Sequence, residues 1–99
     1  MSISATDIKV PEAVTVRLSD DTLTLDLSDG RSISVPLAWY PRLLHANEAE
    51  RGKWRLIGRG AGIHWPDLDE DISVESIIAG RASNETQASL KRWLGARAG

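Results

Sequence analysis

The stretch "AVTVRLSDDTLTLDLSDGRSISVPL", Ala13–Leu37, decides the fold. Leu23, Leu25 and Leu27 alternate with Thr24 and Asp26, and Ile33 and Val35 alternate with Ser32 and Ser34. Val14, Val16 and Leu18 alternate in the same way with Thr15 and Arg17. A period of two with one apolar face is the pattern of antiparallel strands that cover a core on one side only. Ser19-Asp20-Asp21 and Ser28-Asp29-Gly30 separate the runs, and Gly30 can take the positive φ that a tight turn requires. The spacing predicts a three-stranded meander ended by Pro36.

Beyond the meander, Pro41 suits the first turn of a short helix carrying Leu43 and Leu44. Asn47 and Glu50 have the spacing of a capping box for "EAERG", which Gly52 ends. Trp54–Ile57 and Gly62–Trp65 read as two short strands joined through Arg59 and Gly60. Ser73 is a good N-cap for "VESIIA", and Gly80 can stop that helix in the left-handed conformation. A last helix is expected to begin near Asn84, with Gln87 at capping-box distance, and to stop at Gly95. It would align Thr86, Leu90, Trp93 and Leu94, and place Lys91 and Arg92 toward its negative end. The class predicted is α+β: a three-stranded antiparallel meander plus a short hairpin, two or three short helices and a C-terminal amphipathic helix. Residues 1–80 would form the domain and residues 81–99 a helical extension.

Ninety-nine residues, 41% hydrophobic and 26% charged, describe one small globular domain. Phe is absent and four Trp are present, so Trp, each burying on the order of 200 Å², must anchor the core. Without Cys there is no disulfide framework and no thiolate for metal or nucleophilic chemistry. "MSISATDIKV" lacks the basic start and apolar run of a signal peptide, and no segment is apolar for the length of a bilayer. A cytoplasmic location without membrane association is expected. The net charge of −2 conceals two blocks. Arg42 to Arg59 holds five bases against two acids, and Pro66 to Ser76 holds five acids and no base. Adjacent blocks of opposite sign commonly neutralise one another across a turn.

The densest chemistry lies in "LIGRGAGIHWPDLDED", Leu56–Asp71. Gly58, Gly60 and Gly62 evoke a phosphate loop, but such a loop needs a helix after it to present free N–H groups. Here a strand-like "IHWP" follows, and a hairpin turn or bulge fits better. Asp67, Asp69 and Asp71 have the opening spacing of a calcium loop, yet Ile72 and Ile78 stand where that loop requires Gly and Glu. The acids are read instead as flanking a helix N-terminus. His64 lies between Ile63 and Trp65, so strand alternation points it away from both, as a surface or interface residue. No Ser sits in a nucleophile elbow. The chain is therefore expected not to be an enzyme, with no catalytic residue, cofactor or metal site. A weaker reading makes it a hydrolase pairing His64 with Asp67 or Asp69.

Residues 10 to 80, through "SDGRSISVPL", "YPRLL" and above all Gly62–Glu75, "GIHWPDLDEDISVE", resemble the bacterial domain of unknown function 2442 family. The resemblance implies a small α+β domain with an antiparallel sheet, in which the glycines and acids hold a turn and cap a helix. It also implies a setting beside a second small protein, in pairs that look like toxin–antitoxin modules. Some relatives carry a C-terminal helix-turn-helix, whereas about one helix follows Gly80 here. The resemblance supplies no catalytic residues. The function expected is a protein-interaction domain, the antitoxin-like or inhibitory half of a two-component module. Its partner-binding residues would be Leu90, Trp93, Leu94, Arg55, Arg59 and His64, and its partner another small protein or a second copy held through the last helix. The alternative is a nucleic-acid-associated module using Arg51, Lys53, Trp54, Arg55 and Arg59.

Overall fold

The computed structural model describes residues 10–98; residues 1–9, read above for targeting signals, and Gly99 lie outside it. The meander forms as expected. Strands β1 (Ala13–Leu18), β2 (Thr22–Leu27) and β3 (Ser32–Pro36) pair antiparallel in the order β1-β2-β3. Leu23, Leu25 and Leu27 point into the core, and the opposite face carries cross-strand polar contacts. Arg17 pairs with Asp26 at 2.8 Å, Ser32 donates to Asp26 at 2.7 Å, and the Thr24 and Ser34 hydroxyls meet at 2.7 Å. Each such pair contributes about 0.2–1 kcal/mol to the sheet. Ser28-Asp29-Gly30 turns with Gly30 at φ 92°.

One alternation is broken. The β1–β2 register shifts between Ala13 and Thr15, so Val14 is 57% exposed while Ala13 is buried. A bulge flips the side chains on one side of it, and period-two reading cannot see the extra residue. The backbone passes close to Gly60 here: the Ala13 carbonyl lies where a Gly60 side chain would begin.

Two short helices follow. Pro41 opens α1 (Pro41–Leu44), and α2 (Glu48–Gly52) has both halves of its capping box, with Asn47 accepting from the Glu50 amide and Glu50 from the Asn47 amide. The glycine-rich segment then makes a hairpin between β4 (Arg55–Ile57) and β5 (Gly62–Trp65). The expected hairpin is larger than the sequence suggested. A sixth strand, β6 (Glu70–Ser73), pairs with β5 and completes a second antiparallel sheet in the order β4-β5-β6. Its turn is Pro66-Asp67-Leu68-Asp69, with Leu68 fully buried and Asp69 at φ 50°. The acids thus line a β-hairpin, and only Ser73 caps α3 (Val74–Ile78), accepting from the Ser76 amide. Gly80 ends α3 at φ 76°.

The last helix, α4 (Gln87–Ala98), starts later and ends later than expected. Thr86, not Asn84, caps it by accepting from the Ser89 amide, and Gly95 lies inside it. One glycine costs a helix interior about 1 kcal/mol, too little to stop it when the next turn is anchored by Arg97. No helix among the described residues is long and apolar enough to cross a membrane.

Both sheets and α1 and α3 close on one core, with Leu23, Leu25, Leu37, Leu43, Ile63, Trp65, Leu68 and Val74 fully buried. Trp65 is the largest of these, and its indole N–H donates to the Arg51 carbonyl at 3.1 Å. The sheets also touch through backbone. A Cβ at Gly60 would sit 2.7 Å from the Ala13 carbonyl oxygen, and φ is 91° there. Gly60→Ala is therefore expected to destabilise by roughly 2–4 kcal/mol, combining backbone strain with overpacking. Gly52→Ala, which meets open space, should change stability by less than about 1 kcal/mol. Denaturant midpoints of the two variants check this, and equal midpoints would dismiss the close approach.

Candidate functional site

The second sheet sorts the chemistry by its pleat. Arg55, His64 and Asp71 stand opposite one another across its three strands, on the outer face. His64 Nδ1 is hydrogen-bonded to Asp71, so the carboxylate beside the imidazole is neither Asp67 nor Asp69. Asp67 pairs with Lys53 at 3.3 Å, and Asp69 is held in the left-handed turn. An imidazole oriented by a carboxylate can serve as a base, but only with a nucleophile in reach. Ser73, the hydroxyl of the next row on that face, is occupied as the cap of α3.

The basic block separates into structural and free members. Arg42 clamps Glu85 through two hydrogen bonds of 2.7 and 3.2 Å and donates to the Leu68 and Asp69 carbonyls. Arg51 donates to the Leu43 and Leu44 carbonyls at the end of α1. Lys53 is tied to Asp67, and Trp54 packs partly buried against the core. Arg55 and Arg59 alone are exposed and form no ion pair among the described residues. Arg55 opens β4 and Arg59 lies in the turn after it, and β4 is a sheet edge that carries no further strand among the described residues. Leu56 shares the inner face with Ile63 and Ile72, which are buried. It remains 36% exposed with no further strand beside it among the described residues, and Ile57 is 37% exposed.

Of the residues expected on the last helix, Leu90 and Trp93 face inward and Leu94 does not join the core. Leu90 is only 9% exposed, and Trp93 packs against the core with the Arg42 and Arg97 guanidinium groups over its ring at 5.2 and 4.5 Å. Arg97 also grips Glu50 through two bonds of 2.8 and 2.7 Å. The helix docks on its own domain because paired charges and cation–π contacts flank a narrow apolar stripe. Leu94 and the rim of Leu90 line a shallow depression of about 380 Å³ with Gln87, Ala88 and Lys91.

Glu70 is the residue the linear reading missed. It pairs with Trp65 at the end of β5–β6 and shares the inner parity of Ile72, so the pleat turns an acid toward the core. It lines a polar cleft of about 610 Å³ between β6, Tyr40, Arg42 and residues 81–85. Burial pushes its carboxyl up to about 7; Arg42 opposes the shift, and Glu85, Asp71 and Asp69 add to it. The one signal was Ile72 between polar Asp71 and Ser73, which puts Glu70 on the same side of a strand as Ile72.

An acid raised in the folded state carries no penalty below the ordinary glutamate range. Its cost grows as pH rises toward the folded value. Between about pH 5 and about pH 8, the Tm of the protein is therefore expected to fall relative to that of Glu70→Gln. Glu50, held down at about 2 mainly by Arg97, acts oppositely, and its contribution is lost only as pH drops from the ordinary glutamate range toward 2. Parallel Tm profiles for the two proteins over the upper window would show that Glu70 is solvated.

Comparison with curated proteins finds no match. Two solved structures resemble the chain. A crystal structure of a protein of unknown function from Rhodospirillum rubrum is 27% identical, with a TM-score of 0.66 over 81% of this chain and 96% of that one. A solution structure of an uncharacterized protein from Chromobacterium violaceum is 15% identical, with a TM-score of 0.63 over 87% of this chain and 75% of that one, a likeness of fold. The model of the family described as protein of unknown function (DUF2442) matches residues 13–83. By that match over most of its length, the chain belongs to the DUF2442 family.

Proposed function

We propose that the chain is a non-catalytic protein-interaction domain, the inhibitory, antitoxin-like half of a two-component module, and that β4 is its docking edge. The observation that carries this reading is the exposure of Leu56 on a face that is otherwise core. A strand laid along β4 would cover Leu56, continue the β4-β5-β6 sheet and pair backbone groups at the edge. Arg55 and Arg59 border the same edge, and His64 stands in the adjacent position on the outer face. The nucleic-acid alternative loses Arg51 and Lys53 to internal partners and part of Trp54 to the core, and would draw chiefly on Arg55 and Arg59.

The test is native purification of the tagged full chain from its host, with nuclease treatment, beside a Leu56→Lys variant. A lysine at an exposed edge is tolerated by folding and opposes strand addition. A stoichiometric small protein retained by the parent and lost from a variant of similar Tm is the expected result. Retention by both proteins would move the docking surface elsewhere. Loss of all associated material on nuclease treatment would support the nucleic-acid alternative.

A further inference from the structure

We propose that the polar cleft is a proton-controlled latch, in which Glu70 and Glu85 compete for Arg42 and so set how firmly residues 81–98 are fastened to the domain. The proposal is independent of the docking edge at β4. Its ground is that several attachments pass through one guanidinium. Arg42, reaching from α1, grips the Glu85 carboxylate, donates to the Leu68 and Asp69 carbonyls and lies over the Trp93 ring. Most of its N–H donors are thereby committed. Glu85 also accepts from Ser89 in the first turn of α4. Side-chain exposures of 17% for Arg42 and 8% for Glu85 leave the pair little screened by solvent. Glu70 lines the same cleft, half-buried, with no side-chain hydrogen bond or ion pair among the described residues.

Glu70 faces a mixed set of groups. Asp69 and Asp71 flank it on its own hairpin, and Asp71 is tied to His64 of β5. The Tyr40 phenol and Arg42 face it from the side of α1, and Arg81 and Glu85 from the segment that leads to α4. From α3 and its cap come only the hydroxyls of Ser73 and Ser76. Protonated, Glu70 makes no claim on Arg42, and the clamp on Glu85 stands. Ionised, it sets a second carboxylate beside the same guanidinium. Arg42 turning toward Glu70 releases Glu85 and leaves Trp93 together. Opening of residues 81–86 then lets water reach Glu70 and takes Glu85 out of its surroundings. Desolvation and the neighbouring Glu85 both help push the Glu70 carboxyl up to about 7, so opening relieves both. A carboxyl raised in the closed form favours that form at low pH and weakens it as pH rises toward the raised value. Glu85 stays ionised across that window, because Arg42 holds its carboxyl below the usual range. Release of α4 uncovers Leu90 and Trp93.

The experiment is amide hydrogen exchange on the full isotope-labelled chain between about pH 5 and about pH 8, corrected for the intrinsic pH dependence of exchange. The carboxyl carbon resonance of Glu70 is followed over the same range, and the series is repeated with Glu70→Gln. The opening constants of Leu90 to Leu94 are expected to rise at least about tenfold across the range and to exceed those of Leu23 and Leu25 in β2. The rise should track the Glu70 resonance and vanish in Glu70→Gln. Glu85→Gln, which weakens the clamp, should leave the helix open more often already at about pH 5. Equal opening constants for α4 and β2 throughout would show that Glu70 acts only on global unfolding and would overturn the latch. An α4 opening that does not change with pH, or whose rise persists in Glu70→Gln, would overturn it as well. The comparison with the Glu70 resonance needs only the parent chain: a rise with a different midpoint assigns the effect to another group, even if the variant does not fold.

Discussion

The hydrogen bond from the Trp65 indole to the Arg51 carbonyl is the constraint around which the domain is organised. Burying an indole removes on the order of 200 Å² from water, but its N–H must find an acceptor or the gain is largely lost. Here the acceptor is backbone at the end of α2, and the same residue's guanidinium closes the carbonyl end of α1. One side chain of the second sheet thereby fixes both short helices, neither of which is long enough to persist alone. Tyr40 and Arg42 gain their positions from that arrangement, and with them the wall of the polar cleft.

The meander was legible because its side-chain period and turn residues agree at every step from Leu23 to Val35. Caps at Asn47, Ser73 and Gly80 were equally legible, since capping is local chemistry. What failed were features that depend on distant contacts. The bulge at Val14 lies beside the point where Gly60 passes Ala13. β6 was obscured because three acids in five residues read as solvated loop, while its pairing with β5 outweighs their poor strand propensity. Gly95 looked like a stop because the anchor beyond it, Glu50, is 47 residues away in sequence from Arg97.

The candidate surface was legible in composition but not in arrangement. The sequence shows five bases between Arg42 and Arg59, and nothing in their spacing says which three take partners within the domain. Folding resolves them by reach: Arg42 to Glu85, Arg51 to the end of α1, Lys53 to Asp67. The remainder, Arg55 and Arg59, lie on β4 and in the turn after it and form no ion pair among the described residues. The same sorting converts the acidic block from a uniform patch into one desolvated carboxyl, Glu70, and two paired ones, Asp67 and Asp71.

The attachment of α4 has a consequence for cooperativity. The helix is joined to the domain by the Arg97–Glu50 grip, the Arg42–Glu85 clamp that precedes it, and the cationic contacts over Trp93. The meander is held instead by apolar burial and a backbone ladder. These two kinds of cohesion respond differently to ionic strength and temperature. With only Leu90 and Trp93 adding apolar burial, the attachment of the last helix is the part of the fold most sensitive to ionic strength.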